Sequence, residues 1–207
     1  MRNSLGNGLE IEVKFQVADH DTFLKKLADL GAVCTQERVL ELNLRFDTPD
    51  GRLRAARQVL RLRKDNRIRM TFKGPAEESR QVAVRPEIEF AVSDFDSARR
   101  FLEALGYEVS VIYEKYRTSF DMEGAEISLD EMPFGLFCEI EGKDAAQIEN
   151  LASRFGLEWG SRITDSYMML FESLKRKRGM TMRDLTFEAF NGISVDPQEL
   201  LLCKSSP

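Results

Sequence analysis

The chain has 207 residues, 43% hydrophobic and 31% charged, a balance that supplies a sizeable core and a wet surface and excludes a disordered chain. A net charge of −5 argues against a general nucleic-acid binder, and no apolar stretch approaches the ~18–20 residues of a membrane span. The polar Met1–Gly8 has no signal-peptide core; the three scattered cysteines (Cys34, Cys138, Cys203) and the single His20 suggest neither zinc nor a disulfide framework, so a cytoplasmic setting fits and any metal must be held by oxygen.

In chain order, Glu10-Ile11-Glu12 reads as a strand, followed by a helical stretch, Asp21–Leu30, that stops at Gly31. Period-2 alternation predicts strands over Leu42–Asp47, Val59–Arg63 and Ile68–Lys73, with a short helix over Arg52–Arg57 in one connection. Glu87-Ile88-Glu89 opens a second strand–helix unit, whose helix, Asp96–Leu105, stops at Gly106. Strands at Tyr113–Phe120 and Ala125–Asp130 lead to a third unit, Glu139-Ile140-Glu141, with a helix over Asp144–Phe155 that stops at Gly156. Each helix opens near an Asp suited to N-capping and closes before a Gly suited to the left-handed C-terminal position. Turn signals at Pro49-Asp50-Gly51, Lys64-Asp65-Asn66 and Glu123-Gly124 separate the strands. About eight strands suffice for closure, so the expected fold class is α+β: an eight-stranded antiparallel β-barrel with helices packed on its outside. Beyond it come a helix over Ser166–Lys175, a basic run, Lys175–Arg178, and a second amphipathic stretch, Met182–Phe190. The expected division is therefore residues 1–174 as one domain and 175–207 as a helical appendage or tail.

Alternate side chains of a strand point to opposite faces. Glu10, Glu12 and Lys14 therefore share one face, and so, strand by strand, do Arg61 and Arg63; Arg69, Thr71 and Lys73; Glu87 and Glu89; Lys115 and Arg117; Ser128 and Asp130; and Glu139 and Glu141. Any one of these strands is ordinary as a solvated sheet face. The repeated charged doublets, with helices on the apolar side, place the charges inside the barrel. Such a lumen is costly unless water, metals or a charged ligand satisfy it. Carboxylates without His or Cys suit Mg²⁺ or Mn²⁺, and clustered Arg and Lys suit phosphate oxygens. Together they match a metal–polyphosphate. The chain has no G-x-x-x-x-G-K-[ST] loop, so side chains must hold the phosphates.

Glu10-Ile11-Glu12-Val13-Lys14 fits an E-x-E-x-K signature, and further matches follow in order: Phe46-Asp47-Thr48-Pro49, Leu60-Arg61-Leu62-Arg63, Phe72-Lys73-Gly74-Pro75, Glu87-Ile88-Glu89, Lys115-Tyr116-Arg117, Leu129-Asp130, Phe134–Phe137 with Glu139-Ile140-Glu141, and Ser166-Tyr167. This ordered set, over about residues 9–172, resembles the CYTH family, the triphosphate tunnel metalloenzymes, which includes class IV adenylyl cyclases, thiamine triphosphatases and inorganic tripolyphosphatases. The resemblance implies that Glu10, Glu12, Glu139 and Glu141 ligate one or two Mg²⁺ or Mn²⁺ ions, with Asp130, Glu87 and Glu89 assisting. It implies that Lys14, Arg61, Arg63, Lys73, Lys115 and Arg117 bind the triphosphate, and that Lys14, Glu10 and Glu12 serve catalysis. Where the family commonly has D-x-Y before F-D-T, this chain has Asn43-Leu44-Arg45. Arg45 either adds a cation for the substrate at a tunnel mouth or pairs with a surface carboxylate.

The expected partner is a triphosphate-containing small molecule, such as tripolyphosphate or ATP, with no membrane and no general nucleic-acid binding; a homodimer is left open. Hydrolysis needs only the triphosphate grip and is preferred. A class IV adenylyl cyclase converting ATP to cyclic AMP and pyrophosphate is the alternative, and a non-catalytic polyphosphate- or nucleotide-binding module is the second. Trp159 and Tyr113 are expected to pack rather than to stack on a base.

Overall fold

Charges on alternate positions of every strand call for a sheet that hides one face from both solvent and core, and a closed sheet does this. In the computed structural model, which describes residues 8–76 and 81–201, eight strands form that closure. They are β1 (Leu9–Gln16), β2 (Val33–Asp47), β3 (Val59–Lys64), β4 (Ile68–Lys73), β5 (Ala83–Ala91), β6 (Glu108–Met122), β7 (Ala125–Met132) and β8 (Gly135–Glu141). They pair antiparallel around the ring in the order β1-β5-β4-β3-β2-β6-β7-β8. Ring order fixes which walls face each other: β3 stands across the lumen from β8, β2 from β1, β6 from β5 and β7 from β4.

The three strand–helix units are β1–α1, β5–α3 and β8–α4, with α1 at His20–Asp29, α3 at Phe95–Ala104 and α4 at Ala145–Arg154. Asp19, Asp94 and Asp144 cap these helices by accepting backbone N–H bonds from Thr22, Ser97 and Gln147. The glycines that follow sit at positive φ (Gly31 +80°, Gly106 +88°, Gly156 +66°), where a side chain would be strained. Helices α1 and α4 bury Phe23, Leu27, Ile148 and Leu151 against Val13, Phe15, Ile127 and Ile140 on the outer faces of β1, β7 and β8. Leu102 of α3 packs on Leu44, Phe46 and Leu62 of β2 and β3. The Glu123-Gly124 turn joins β6 to β7 with both residues at positive φ, the geometry of a twist-matched two-residue hairpin.

Three features depart from the expectations. Strands β2 and β6 are each 15 residues long, well beyond Leu42–Asp47 and Tyr113–Phe120. The added length of β2 pairs mainly with the expected part of β6 and carries the polar run Thr35–Arg38, which shows no alternation, with register shifts between Cys34 and Val39; the added Glu108–Ile112 of β6 pairs with the end of β2. The apolar outer face of β5 is not covered: Ile88 is 62% and Phe90 53% exposed, because α3 leans on β3 rather than on the strand that precedes it. Met182–Phe190 is not a helix; Leu185 makes a parallel bridge to Tyr113 of β6 instead.

Helix α5 (Tyr167–Arg178) runs through the basic stretch to a Gly179 terminus and lies against the barrel end where β7 finishes and β8 begins. There Tyr167, Leu170, Phe171 and Leu174 meet Phe134 and Phe137, and the returning chain adds Leu185, Phe190 and Leu200. Short helices α2 (Arg52–Ala55) and α6 (Pro197–Leu201) complete the set. Among the described residues, no helix is long and apolar enough to cross a membrane. Leu185 is fully buried in this end cluster. Leu185→Ala should therefore lower the unfolding free energy of the full chain by about 2–5 kcal/mol, read from denaturant titration.

Candidate active site: the charged barrel interior

The interior opens into a continuous cavity of about 1890 Å³. Small-molecule sites usually span ~300–1,000 Å³, so ligand, ions and water have room here together. A smaller hollow of about 420 Å³, lined by Arg99, Glu103, Tyr107 and Arg183, lies outside the barrel and holds none of the interior charges.

Strand pleating turns Glu10, Glu12 and Lys14 of β1 and Glu139 and Glu141 of β8 into the cavity, with Glu126 of β7 beside them. Lys14 bridges the group, ion-paired to Glu12 and lying 3.2 Å from Glu139 Oε2. Burial disfavours a charged lysine, but Glu12 and Glu139 outweigh it and hold Lys14 firmly protonated. The carboxyls divide. Burial raises Glu139, but Lys14, Arg117 and Lys115 take it well below the usual range. Glu12 is raised by burial and by Glu139. Glu141 is pushed up to about 8 by burial and by the charges of Glu10, Glu12, Glu126 and Glu139.

The opposite wall is cationic. Arg61 and Arg63 of β3 face β8 across the lumen, flanked by Arg69 and Lys73 of β4. Lys73 pairs with Glu10 and sits 3.1 Å from Glu87. Glu89 accepts from Thr71 at 2.8 Å and lies 3.6 Å from Arg61 and 3.8 Å from Arg69. Glu89 thus stands among guanidiniums, while Glu87 shares Lys73 with Glu10 of β1. On β6, Lys115 and Arg117 converge on Asp130 of β7: Arg117 Nε and Nη2 both donate at 2.6 Å and Lys115 at 3.0 Å. Arg117 also reaches Glu139 at 2.8 Å, tying the two walls together.

Several residues outside the expected set complete the site. Glu41 of β2 is fully buried between Arg63 (3.2 Å) and Lys115 (3.5 Å), and its carboxyl is held well below the usual range because those cations outweigh burial. It lies two residues before Asn43, so the alternation rule applied one step further along β2 finds it. Asn43 accepts from Arg63 Nε at 3.0 Å, which accounts for a neutral amide at that position. Tyr167 of α5 reaches into the barrel, donating its hydroxyl to Asp130 at 2.8 Å, with the Lys14 and Lys115 ammoniums 5.4 and 5.5 Å from its ring centroid. Tyr113 accepts from Arg61 Nη1 at 3.2 Å. Trp159 packs outside the barrel on Phe15 and Arg162.

Among the described residues, no three acidic, His or Cys side chains stand together as a ready-made metal cluster, because the lumen carboxylates are turned onto lysine and arginine. Their chemistry still fits a hard divalent cation. Glu10 Oε2 is buried with no hydrogen-bond partner, and Glu141 is held near 8 by surplus like charge. Both are signs of oxygen donors in excess of nearby positive charge.

Two outcomes follow. Removing one of the crowded carboxylates relieves repulsion, so Glu141→Gln should raise the melting temperature of the metal-free protein at pH 8 while abolishing the added stabilisation by Mg²⁺, as read by thermal shift. Burial raises the Tyr113 phenol, but Arg61 and Arg63 outweigh it and bring it down to about 8. One tyrosine should then ionise near pH 8 in an ultraviolet titration, be missing in Tyr113→Phe, and shift upward when a phosphate chain binds beside those arginines.

The chain is similar to solved structures of this architecture. A candidate adenylate cyclase from Vibrio parahaemolyticus is 27% identical with a TM-score of 0.70, covering 80% of this chain and 99% of its own. The Pyrococcus horikoshii OT3 protein PH1012 is 25% identical with a TM-score of 0.65, covering 77% and 97%. The adenylyl cyclase candidate HpAC1 from Hippeastrum, described as having a dominant triphosphatase activity, is 21% identical with a TM-score of 0.57, covering 79% and 95%. No curated protein sequence matches the chain. The CYTH domain profile matches residues 8–167. The chain therefore belongs to the CYTH domain family, a metal-dependent family that acts on triphosphates and includes triphosphatases and class IV adenylyl cyclases.

Proposed function

We propose that this protein is a divalent-metal-dependent triphosphatase that hydrolyses inorganic tripolyphosphate or a related triphosphate inside its barrel. The observation that carries the reading is the opposition of two walls: carboxylates on β1 and β8 face guanidiniums on β3 across one cavity. A phosphate chain lies against Arg61, Arg63, Lys73, Lys115, Arg117 and Lys14, which supply forked and point-charge donors without a backbone cradle. Glu10, Glu12, Glu139 and Glu141 are the oxygens for one or two Mg²⁺ or Mn²⁺ ions. When bound, such an ion neutralises phosphate charge and acidifies a coordinated water.

The remaining roles belong to the chain itself. Lys14, shared between Glu12 and Glu139, is free to swing to a phosphate oxygen once those carboxylates turn elsewhere. Asp130 already receives two bonds from Arg117 and one each from Lys115 and Tyr167. We assign it to positioning these cations rather than to direct ligation, and Glu41 does the same for Arg63 and Lys115. Hydrolysis is favoured over cyclisation because it needs only the triphosphate grip.

The deciding experiment is turnover of tripolyphosphate and ATP with Mg²⁺ and with Mn²⁺, scoring orthophosphate, pyrophosphate and cyclic AMP together. Orthophosphate from tripolyphosphate, abolished by chelation, is the expected result. Cyclic AMP with pyrophosphate identifies a cyclase, and no product with either metal leaves a binding module. Within the expected outcome, Glu10→Gln should lower kcat/KM at limiting metal by about 10²-fold. Lys73→Ala should raise KM about 10–100-fold while the protein stays folded, since one charge-assisted contact is lost.

A further inference from the structure

Arg45 is set apart from the other interior cations. Lys14, Arg61, Arg63, Arg69, Lys73, Lys115 and Arg117 each have a carboxylate within ion-pair distance. Among the described residues, none reaches the Arg45 guanidinium. The acid nearest in sequence, Asp47, is spent on the backbone: its oxygens accept from the N–H groups of Thr48, Leu53 and Arg54 at 2.8, 2.8 and 3.1 Å. The surface pairing that the sequence left open is therefore not made.

Two further arginines stand close to Arg45, with Tyr113 and Asp47 acting on it in the opposite sense. It stands directly across the β2–β3 ladder from Arg61, and like charges at such a position destabilise a sheet. Burial, with Arg85 and Arg61, pushes its guanidinium pKa down. Arg85 donates to the neutral carbonyl of Gly74 (3.3 and 3.0 Å) and likewise lacks a carboxylate among the described residues. Strand direction puts Arg45 at the barrel end where β2 finishes and β3 begins, and there the cavity continues past Arg54, Arg57 and Arg176 together with Asp50, Glu108 and Glu172. A half-buried group of like charges at the cavity mouth is a place for an anion to sit.

We propose that Arg45, with Arg85, forms a subsite for a phosphoryl group beyond the three gripped inside the barrel. The substrate class is then a linear phosphoanhydride chain of four or more phosphates, either inorganic or ending in a nucleoside, in preference to a triphosphate. This rests on the grip assigned above, since a fourth phosphate is placed only relative to the first three.

The test compares tripolyphosphate with tetrapolyphosphate, and ATP with adenosine 5′-tetraphosphate, in the full chain and in Arg45→Gln and Arg45→Lys. Both kcat/KM with Mg²⁺ and calorimetric affinity are measured. The four-phosphate member of a pair should be favoured about tenfold, and Arg45→Gln should remove that ratio while Arg45→Lys keeps most of it. Preference in both pairs, or in one, supports the subsite and names the source of the chain. Equal treatment of three and four phosphates overturns it, and so does a ratio that survives Arg45→Gln, including the case where both members weaken together. Absence of turnover on every substrate sinks the triphosphatase reading alone, because the affinity ratio still decides this one.

Discussion

The triad of Lys14 with Glu12 and Glu139 is the contact on which the rest of the barrel depends. A lumen lined by carboxylates and cations loses several kcal/mol per ion to desolvation, and only close, reciprocal pairing offsets that. Lys14 is 3% exposed and linked to both β1 and β8, so the seam where the ring closes is an electrostatic seam as well as a ladder of backbone bonds. From Glu139 the pairing passes to Arg117, then Asp130, Lys115, Glu41 and Arg63, which crosses β8, β6, β7, β2 and β3 in one chain of contacts. Breaking such a chain at one partner leaves an uncompensated buried charge, which is why these pairs specify the arrangement more than they stabilise it.

The end cluster acts on the same network from outside the ring. Tyr167 belongs to the apolar set around Phe137 and Leu170, yet its hydroxyl lies on Asp130 and its ring beside Lys14 and Lys115. Packing of α5 therefore fixes polar groups in the lumen. The segment around Leu185 and Phe190, which adds no helix, still fills the cluster that holds α5 down. Burial of Tyr167 with Asp130 and Glu139 nearby pushes its phenol well above the usual range, so it remains a donor to Asp130 across neutral pH.

Much of this was readable from alternation. Once Glu10, Glu12 and Lys14 were assigned to one face, the lumen list followed strand by strand, because a β-strand has no other way to sort side chains. The three capped helices were equally plain, since Asp and Gly carry the ends of a helix in local chemistry. What failed to show has physical causes. The outer length of β2 is largely exposed on both sides, so no hydrophobic alternation marks Thr35 to Arg38. Glu41 was missed because it lies one step outside the apolar pattern of Leu42, Leu44 and Phe46. Tyr167 was visible only as part of a motif, because its reach to Asp130 depends on where α5 docks, a tertiary fact with no local signal. Nor does alternation tell which carboxylates face cations; that depends on ring order, which set Glu87 and Glu89 beside Lys73 and Arg61.

The same ring order supports the composite ligand proposed for the lumen. Two places in the barrel hold like charge without enough of the opposite sign. One is the carboxylate group at Glu10, Glu12 and Glu141, where Glu10 Oε2 has no partner and Glu141 resists ionisation. The other is at Arg45 and Arg85, with Arg61 beside Arg45 already paired to Glu89. A simple anion relieves only the second and a simple cation only the first. A divalent cation bound to a phosphate chain relieves both at once, with its positive end toward β1 and β8 and its negative end toward β2 and β3. On the proposed function neither half alone recovers the full electrostatic gain, so each should tighten the binding of the other through charges that the free protein leaves facing their own kind.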